Sequence, residues 1–484
     1  MTNYGVKIVG LGPGDIGQLS IKAWKLFENS DEVYVRTKQH PMIADLPKNL
    51  KVISFDYLYE QEKDYFRVYE LIIEEVINMA KRPGGVIYAV PGDPFVAEIT
   101  GPEIYKRCQE QGIPVEVIAG ISFLEPTLRA LSLDVLPQLT IVDALELMDG
   151  YFPKFPPNVP ALVAQVHSQD IASELKITLE GQYNDELLVN LVHAAGTKEE
   201  KIEEMFLYQI DQSEYFGNLT SLFLPALDEG TSFEEFQDLI AHLRSPEGCA
   251  WDREQDHQSL RTNLMEEMYE ALSAIDQDDP EQMKEEFGDL LLQIVLQTQI
   301  AIEYGEFNMT DVISGIYKKL VRRHPHVFTE LEVDAPDEII RNWEKIKEGE
   351  RNGIEGNDKG LLDGVPTAMP ALAVADNYQK RAARVGFDWD EIEGALLKLE
   401  EEITEFRDAN TNEEKAEEMG DMLFAMANIA RWLDIDPETA LRETNKKFKE
   451  RFNAIEAEAR ERGISLSDMS LEEMDEIWEK SKKK

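Results

Sequence analysis

Cysteine is nearly absent: Cys108 and Cys249 are the only two in 484 residues. They are too far apart for a CxxC metal site and too few for a disulfide framework, a scarcity that fits a reducing, cytoplasmic setting. Long apolar runs are missing too. No stretch of about 18 apolar residues offers a bilayer-spanning helix, and Met1–Gly10 lacks the basic-then-apolar order of a secretory signal. No GxxxxGK[ST] occurs, which excludes a P-loop. Positive charge is the other shortage. With 49 Lys and Arg against 95 Asp and Glu, the formal net charge is −46. Such a surface repels phosphate backbones and anionic bilayers, so neither nucleic acid nor membrane is an expected partner.

What is present divides the chain. Its length predicts two to four domains, and the acidity is uneven. Residues 1–222 hold 18 basic and 33 acidic side chains, leaving 31 and 62 for the rest. The first half alternates short apolar strands (6–10, 33–35, 52–55, 85–90, 115–118) with helical spacing over 19–28, 62–79 and 101–111. After the Pro-rich 151–160 the alternation resumes, with strands at 161–166, 187–192 and 219–224 and a helix at 168–179. This pattern predicts two α/β lobes with a largely parallel sheet covered by helices. After Pro225 strand signals vanish, and long acidic amphipathic helices take over. They fall into two all-α units separated by a Gly/Asp-rich linker over 349–364.

The two units repeat a pattern. The first has Glu266-Glu267-Met-Tyr-Glu270, then Glu286-Phe-Gly-Asp289; the second has Glu401-Glu402-Ile-Thr-Glu405, then Glu418-Met-Gly-Asp421. Residues three apart on a helix share a face. If the two helices form an antiparallel hairpin, Glu267, Glu270, Glu286 and Asp289 converge. Four uncompensated anions resist such company, whereas a divalent cation relieves it, and an all-oxygen donor set selects Mg²⁺ or Mn²⁺. A di-iron bundle requires ExxH pairs, and neither hairpin contains histidine. A single EExxE in so acidic a chain reads as a solvated helix face; its repetition together with Gly-Asp does not. Gly288 and Gly420 sit inside helices at a cost of about 1 kcal/mol each, which close helix approach or room for a ligand would explain.

Residues 228–349 and 367–484 resemble MazG-type nucleoside triphosphate pyrophosphohydrolase domains, whose signature is EExxE…ExxD, with 350–366 as linker. The flanking strings around Trp251-Asp252 and Arg322–Phe328 in the first unit, and Arg384–Trp389 and Asn445–Phe452 in the second, also match. The resemblance implies a helical dimer that splits an NTP into NMP and diphosphate with Mg²⁺. Carried over by position, Glu402, Glu405, Glu418 and Asp421 form the second ligand set. Glu266 and Glu401 are either bases towards water or solvated surface residues. Lys447 and Arg451 match phosphate-contacting positions, a role Arg322 and Arg323 could fill in the first unit. A zinc reading of the adjacent His324 and His326 is short of ligands.

Three glycine-bearing turns end strands in the first half: Gly10-Leu-Gly12-Pro13-Gly14-Asp15, Gly92-Asp93-Pro94-Phe95 and Ala119-Gly120-Ile-Ser122-Phe123. The first has GxGxG spacing with Asp15 where a dinucleotide fingerprint needs its third glycine. Strand C-terminal ends are where open α/β sheets bind ligands, and Phe95 and Phe123 could flank one. The set resembles the tetrapyrrole methylase family over residues 1–224. That implies S-adenosylmethionine (SAM) in the cleft, held by Gly12, Pro13, Gly14, Gly92, Asp93, Pro94, Gly120 and Ser122, a methyl acceptor of unknown identity, and dimerisation. Ala97-Glu98-Ile99 stands where the biosynthetic methylases carry glycine or a basic residue. The whole chain therefore resembles a methylase–MazG fusion, a multidomain enzyme active on nucleoside triphosphates. Two alternatives stand beside it: a first half that binds SAM without turnover, as a sensor or scaffold, and a helical half that is only an acidic dimerisation module.

Overall fold

Runs of β-branched residues at 6–10, 32–35 and 86–90 form strands because both faces of their sheet are covered. The computed structural model describes residues 4–482 apart from 63, 330, 332–338, 340, 341, 344, 345 and 347–359. The chain divides into two compact units, Met1–Ile313 and Ser314–Lys484. Most of the linker expected over 350–366 lies outside the described residues.

In the first unit, β1 (Val6–Gly10), β2 (Glu32–Val35), β3 (Lys51–Ser54), β4 (Val86–Val90) and β5 (Val115–Ile118) make a sheet of order β3-β2-β4-β1-β5. Every pairing is parallel. Alternation along β1 sends Ile8 to one core, with Ile72, Val76, Tyr88 and Ile104, and Val9 to the other, with Phe27, Val33 and Ile118. The covering helices of eight residues or more are α1 (Ile21–Glu28), α2 (Tyr65–Ala80), α3 (Thr100–Glu110) and α4 (Leu124–Leu131). Ser20 caps α1 by accepting from the Ala23 N–H at 3.2 Å.

The second lobe corrects the expectation of a largely parallel sheet. Its order is β6-β7-β10-β8-β9, from Thr140–Asp143, Ala161–Ala164, Thr220–Leu224, Leu188–His193 and Lys201–Phe206. Only β6 and β7 run parallel; the other three pairings are antiparallel. The 194–200 connection is too short for the crossover that parallel neighbours need, so β8 and β9 pair as antiparallel neighbours. The core lies against α5 (Gln169–Leu179), through Leu175, Leu179, Val163, Leu191 and Leu222. Strands β6 and β9 were not expected. Along β9 half-buried and exposed residues alternate, and its Lys and Glu residues mask the strand signal.

The rest of the first unit is helical: α6 (Phe233–Leu243), α7 (Arg261–Asp276), α8 (Pro280–Tyr304) and the start of α9 (Met309–Arg323). Asp279 and Pro280 define the α7–α8 turn; the Asp279 carboxylate accepts from the Glu281 and Gln282 N–H groups at 3.2 Å. Ile240, Leu260, Val295, Leu296, Ile300 and Met309 form the core.

The second unit repeats the scheme with α10 (Ala371–Arg384), α11 (Ile392–Asp408), α12 (Asn412–Trp432) and α13 (Pro437–Arg462). A capping box between Thr411 and Glu414 starts α12. A further helix, α14 (Leu471–Ser481), was not expected, although Ser470 and Glu473 spell its capping box in the sequence. Among the described residues, no helix is long and apolar enough to cross a membrane.

Candidate functional site

Helices α7 and α8 form the first acidic hairpin. One carboxylate oxygen from each of Glu267, Glu270 and Glu286 lies within 4.8 Å of the others. The helical i, i+3 spacing aligns the first two, and Glu286, buried on α8, closes the triangle. The same holds across α11 and α12 for Glu402, Glu405 and Glu418, with Glu402 buried. Among the described residues these are the groups of three or more candidate metal ligands. Asp289 and Asp421 fall outside the triads, yet their charges act on them. Burial, then Asp289, Glu270 and Glu286, push the Glu267 carboxyl above its ordinary range. Burial, then Glu405, Glu402 and Asp421, do the same to Glu418. The Glu418 Oε2 atom is buried without a hydrogen-bond partner. An all-oxygen triad with an orphaned oxygen and mutual repulsion fits a hard divalent cation.

A pH dependence follows. A carboxyl raised in the folded state contributes stability at low pH that is lost as pH climbs through the raised value. Above pH about 4.5, the ordinary glutamate value, Glu267 and Glu418 therefore work against the metal-free fold, and a bound divalent cation would reverse the effect. The increment in Tm on adding Mg²⁺ is expected to be larger at pH 8 than at pH 5. An equal increment at the two pH values would count against the metal site. The increment is the quantity to compare, because carboxyls held low by Arg or Lys partners, such as Glu70 and Glu116, lose stability in the opposite sense as pH falls.

Gly288 and Gly420 precede the aspartates. A Cβ at either would meet nothing within 4 Å. Close helix approach is thereby overturned as their explanation; open space is what the structure provides. Gly288→Ala is expected to stabilise the chain by about 0.5–1 kcal/mol through helix propensity. Thermal unfolding checks this, and a loss of activity alongside the gain would assign the space to a ligand or a partner.

The second hairpin carries a feature the sequence reading missed. Lys398, one turn before Glu402, places Nζ 2.8 Å from Glu402 and 3.2 Å from Glu401. Its i, i+4 register was visible; in the first hairpin that register holds Asn263. Glu266 and Glu401 are exposed. The second hairpin also opens on a cavity of about 370 Å³, bordered by Glu402, Asp421, Lys398, Phe387, Trp389 and Gln379. Lys447 and Arg451 lie on α13, where Arg451 stands over the Trp478 ring at 5.4 Å. Arg322 and Arg323 end α9, the latter over Trp343 at 5.5 Å. His324 and His326 lie 5.8 Å apart, ring to ring, and are not part of a larger cluster among the described residues.

In the first unit the glycine turns meet at the C-terminal ends of β1, β4 and β5. A Cβ on Gly10 would fall 2.5 Å from the Gly92 carbonyl, and one on Gly120 would fall 2.2 Å from the same oxygen. Gly12 and Gly92 exchange backbone hydrogen bonds of 3.1 and 2.9 Å. Much of the glycine requirement is thus the approach of loop to loop. Asp93 ties the loops by accepting from the Gly120 N–H at 3.1 Å. Ser122 donates to Glu125 at 2.6 Å. Gly14 lies against Pro41 and Thr197, and the Pro94 carbonyl lies against Gly101.

A cavity of about 270 Å³ opens beside them, bordered by Pro13, Gly92 and Phe123 from the loops and by second-lobe residues including Asp143, Gln165 and Thr220. Phe95 packs edge-on against Tyr105 instead. Arg36 and Glu98, which also border it, form an ion pair at 2.5 Å, and the Glu98 side chain is 2 % exposed. Burial raises the Asp143 carboxyl, which accepts from Gln165.

Comparison with known proteins follows this division. A family model for tetrapyrrole (corrin/porphyrin) methylases matches residues 5–211, and one for the MazG nucleotide pyrophosphohydrolase domain matches 255–328. The nucleoside triphosphate pyrophosphohydrolase/pyrophosphatase MazG of Thermotoga maritima is 44% identical over 53% of this chain and 97% of its own length. The uncharacterized protein YabN of Bacillus subtilis (strain 168) is 42% identical over 99% of this chain and 98% of its own. The chain belongs to the MazG family, fused to a tetrapyrrole methylase domain. The nucleoside triphosphate pyrophosphohydrolase of Escherichia coli (strain K12) is 40% identical to this MazG fusion over 51% of the chain and 95% of its own length. A solved uroporphyrin-III C-methyltransferase of Thermus thermophilus covers 46% of the fusion at 21% identity with a TM-score of 0.33, too loose a likeness to bear on the site.

The residues missed in the methylase region of the fusion are Arg36, Glu98 as its partner, and Asp143. Arg36 directly follows the buried β2, and a charged residue leaving a buried strand at the ligand-binding end of a sheet was the available signal.

Proposed function

We propose that this MazG fusion hydrolyses nucleoside triphosphates to the monophosphate and diphosphate with a divalent cation, and that the second hairpin does most of the work. The observation that carries the reading is the Glu402–Glu405–Glu418 triad, with Asp421 beside it, at the edge of a cavity walled by Trp389 and Phe387. Those four carboxylates would hold Mg²⁺ or Mn²⁺; Glu267, Glu270, Glu286 and Asp289 are the corresponding set in the first hairpin. When bound, the cation neutralises triphosphate charge and helps to orient the water.

The chain's own residues supply the rest. Glu401 lies outside the triad and accepts the proton of the attacking water. The water oxygen bonds to the α-phosphorus as the bond to the bridging oxygen breaks, and diphosphate leaves. Lys398 pairs with Glu401 and Glu402 and holds them in place. Lys447 and Arg451 are the phosphate contacts that the family pattern assigns. Exposed Leu264, Met268, Phe287, Leu291 and Ile294 on the first hairpin support a homodimer. Diphosphate release from a panel of NTPs, with and without Mg²⁺, tests the reading; no release from any of them rejects it.

We infer that the first-unit cavity binds SAM, because two of its walls, Pro13 and Gly92, come from turns at the C-terminal ends of parallel strands. The further reading, binding without methyl transfer to a tetrapyrrole, has its own support. The border holds Glu98, Asp143 and Glu146 against a single guanidinium, Arg36, which is already paired, a poor match for a polycarboxylate acceptor. Calorimetry of the full chain with SAM, followed by a transfer assay on tetrapyrroles, separates the two.

A further inference from the structure

The cavity beside Glu402 contains a side-chain amide with one end committed and one end free. Gln379, 8 % exposed, donates from Nε2 to the Phe424 carbonyl at 2.8 Å. That carbonyl can only accept, so the nitrogen must face it, which fixes the amide's orientation. The Gln379 Oε1 atom is left buried with no partner. A second amide on the cavity border has the reverse commitment. Asn428 Oδ1 accepts from Arg431 Nε at 2.9 Å, which leaves Nδ2 to donate. Arg431 is itself anchored on Asp388 at 2.7 Å, so Asn428 is held from behind. An orphaned acceptor that is nine-tenths buried is costly unless a donor completes it. Aromatic walls at Trp389, Phe387 and Tyr378 suit a flat ring.

Resting on the hydrolase reading above, we propose that Gln379 and Asn428 select the base of the nucleotide: Gln379 Oε1 accepts an edge N–H, and Asn428 Nδ2 donates to the neighbouring ring nitrogen or carbonyl. The substrate class is then an NTP whose base carries an N–H donor beside an acceptor. A base of the same shape without that donor leaves Oε1 unpaired. Because the base is remote from the scissile bond, the discrimination falls on KM and leaves kcat nearly unchanged.

The test compares ATP with purine riboside 5′-triphosphate, which lacks the exocyclic amino group, on the full chain with Mg²⁺. A kcat/KM about 10-fold or more higher for ATP, carried by KM, is expected. In Gln379→Met, which keeps the side chain's length and removes its acceptor, the ratio is expected to fall to within about 2-fold by the same reasoning. Equal kcat/KM for the two nucleotides in the unaltered chain overturns the proposal without any variant needing to fold. A preference that persists in a folded Gln379→Met also overturns it. Absence of turnover with both nucleotides and with every other NTP overturns the hydrolase reading instead, and this proposal with it.

Discussion

Glu402→Gln is expected to lower Mg²⁺-dependent diphosphate release by about 100-fold or more, the scale of losing a charged group that stabilises the reacting centre. Glutamine keeps the shape of the buried side chain and removes its charge, so the cation loses a ligand while packing is preserved. Removing this anion relieves its repulsion of Glu418 but also breaks its ion pair with Lys398, which keeps Glu401 as a partner at 3.2 Å. The variant's Tm without metal is therefore expected to stay close to that of the unaltered chain, and its Mg²⁺-induced rise in Tm to shrink. Glu267→Gln removes the first hairpin's smaller share. If Glu267→Gln proves the more damaging, the first hairpin is the principal centre. If both substitutions together leave release intact, the helical half is not a hydrolase through these residues.

Arg36→Met is expected to destabilise the methylase region by about 3 kcal/mol, the scale of breaking a buried ion pair from one side. The asymmetry of the pair decides the direction. The Glu98 side chain is 2 % exposed and that of Arg36 is 23 % exposed, so the stranded carboxylate suffers more than a stranded guanidinium would. Thr100 still offers Glu98 its N–H at 3.0 Å and its hydroxyl at 2.5 Å, too little to replace a charge. Glu98→Gln is accordingly expected to cost less than Arg36→Met. Thermal unfolding of both variants checks this. A greater loss for Glu98→Gln would show that the pair does not carry this energy.

Much of the candidate site was legible because its signals are local. The EExxE and ExxD spacings place carboxylates on single helix faces wherever those helices end up, and the duplication marks them as more than surface acidity. The glycine turns were legible for a similar reason, since each closes a short apolar strand. Other features had no local signature. Arg36 and Glu98 are 62 positions apart, and only the order β3-β2-β4-β1-β5 brings their loops together. The partner of Gln379 is a backbone carbonyl 45 positions away, which no side-chain pattern reports. Strand β9 hid behind its charges because an edge strand buries only part of one face.

The sequence by itself determined the two classes of architecture, the twin acidic hairpins and the three glycine turns, because helical and strand periodicity and turn chemistry act over a few residues. Tertiary structure alone decided which three carboxylates of each quartet close to within 4.8 Å, that the glycines are spent largely on loop-to-loop approach, and that the second lobe is mixed. It also decided that a cavity stands beside Glu402. These outcomes depend on how separate elements pack, and packing is settled by side chains distant in the chain meeting in one core.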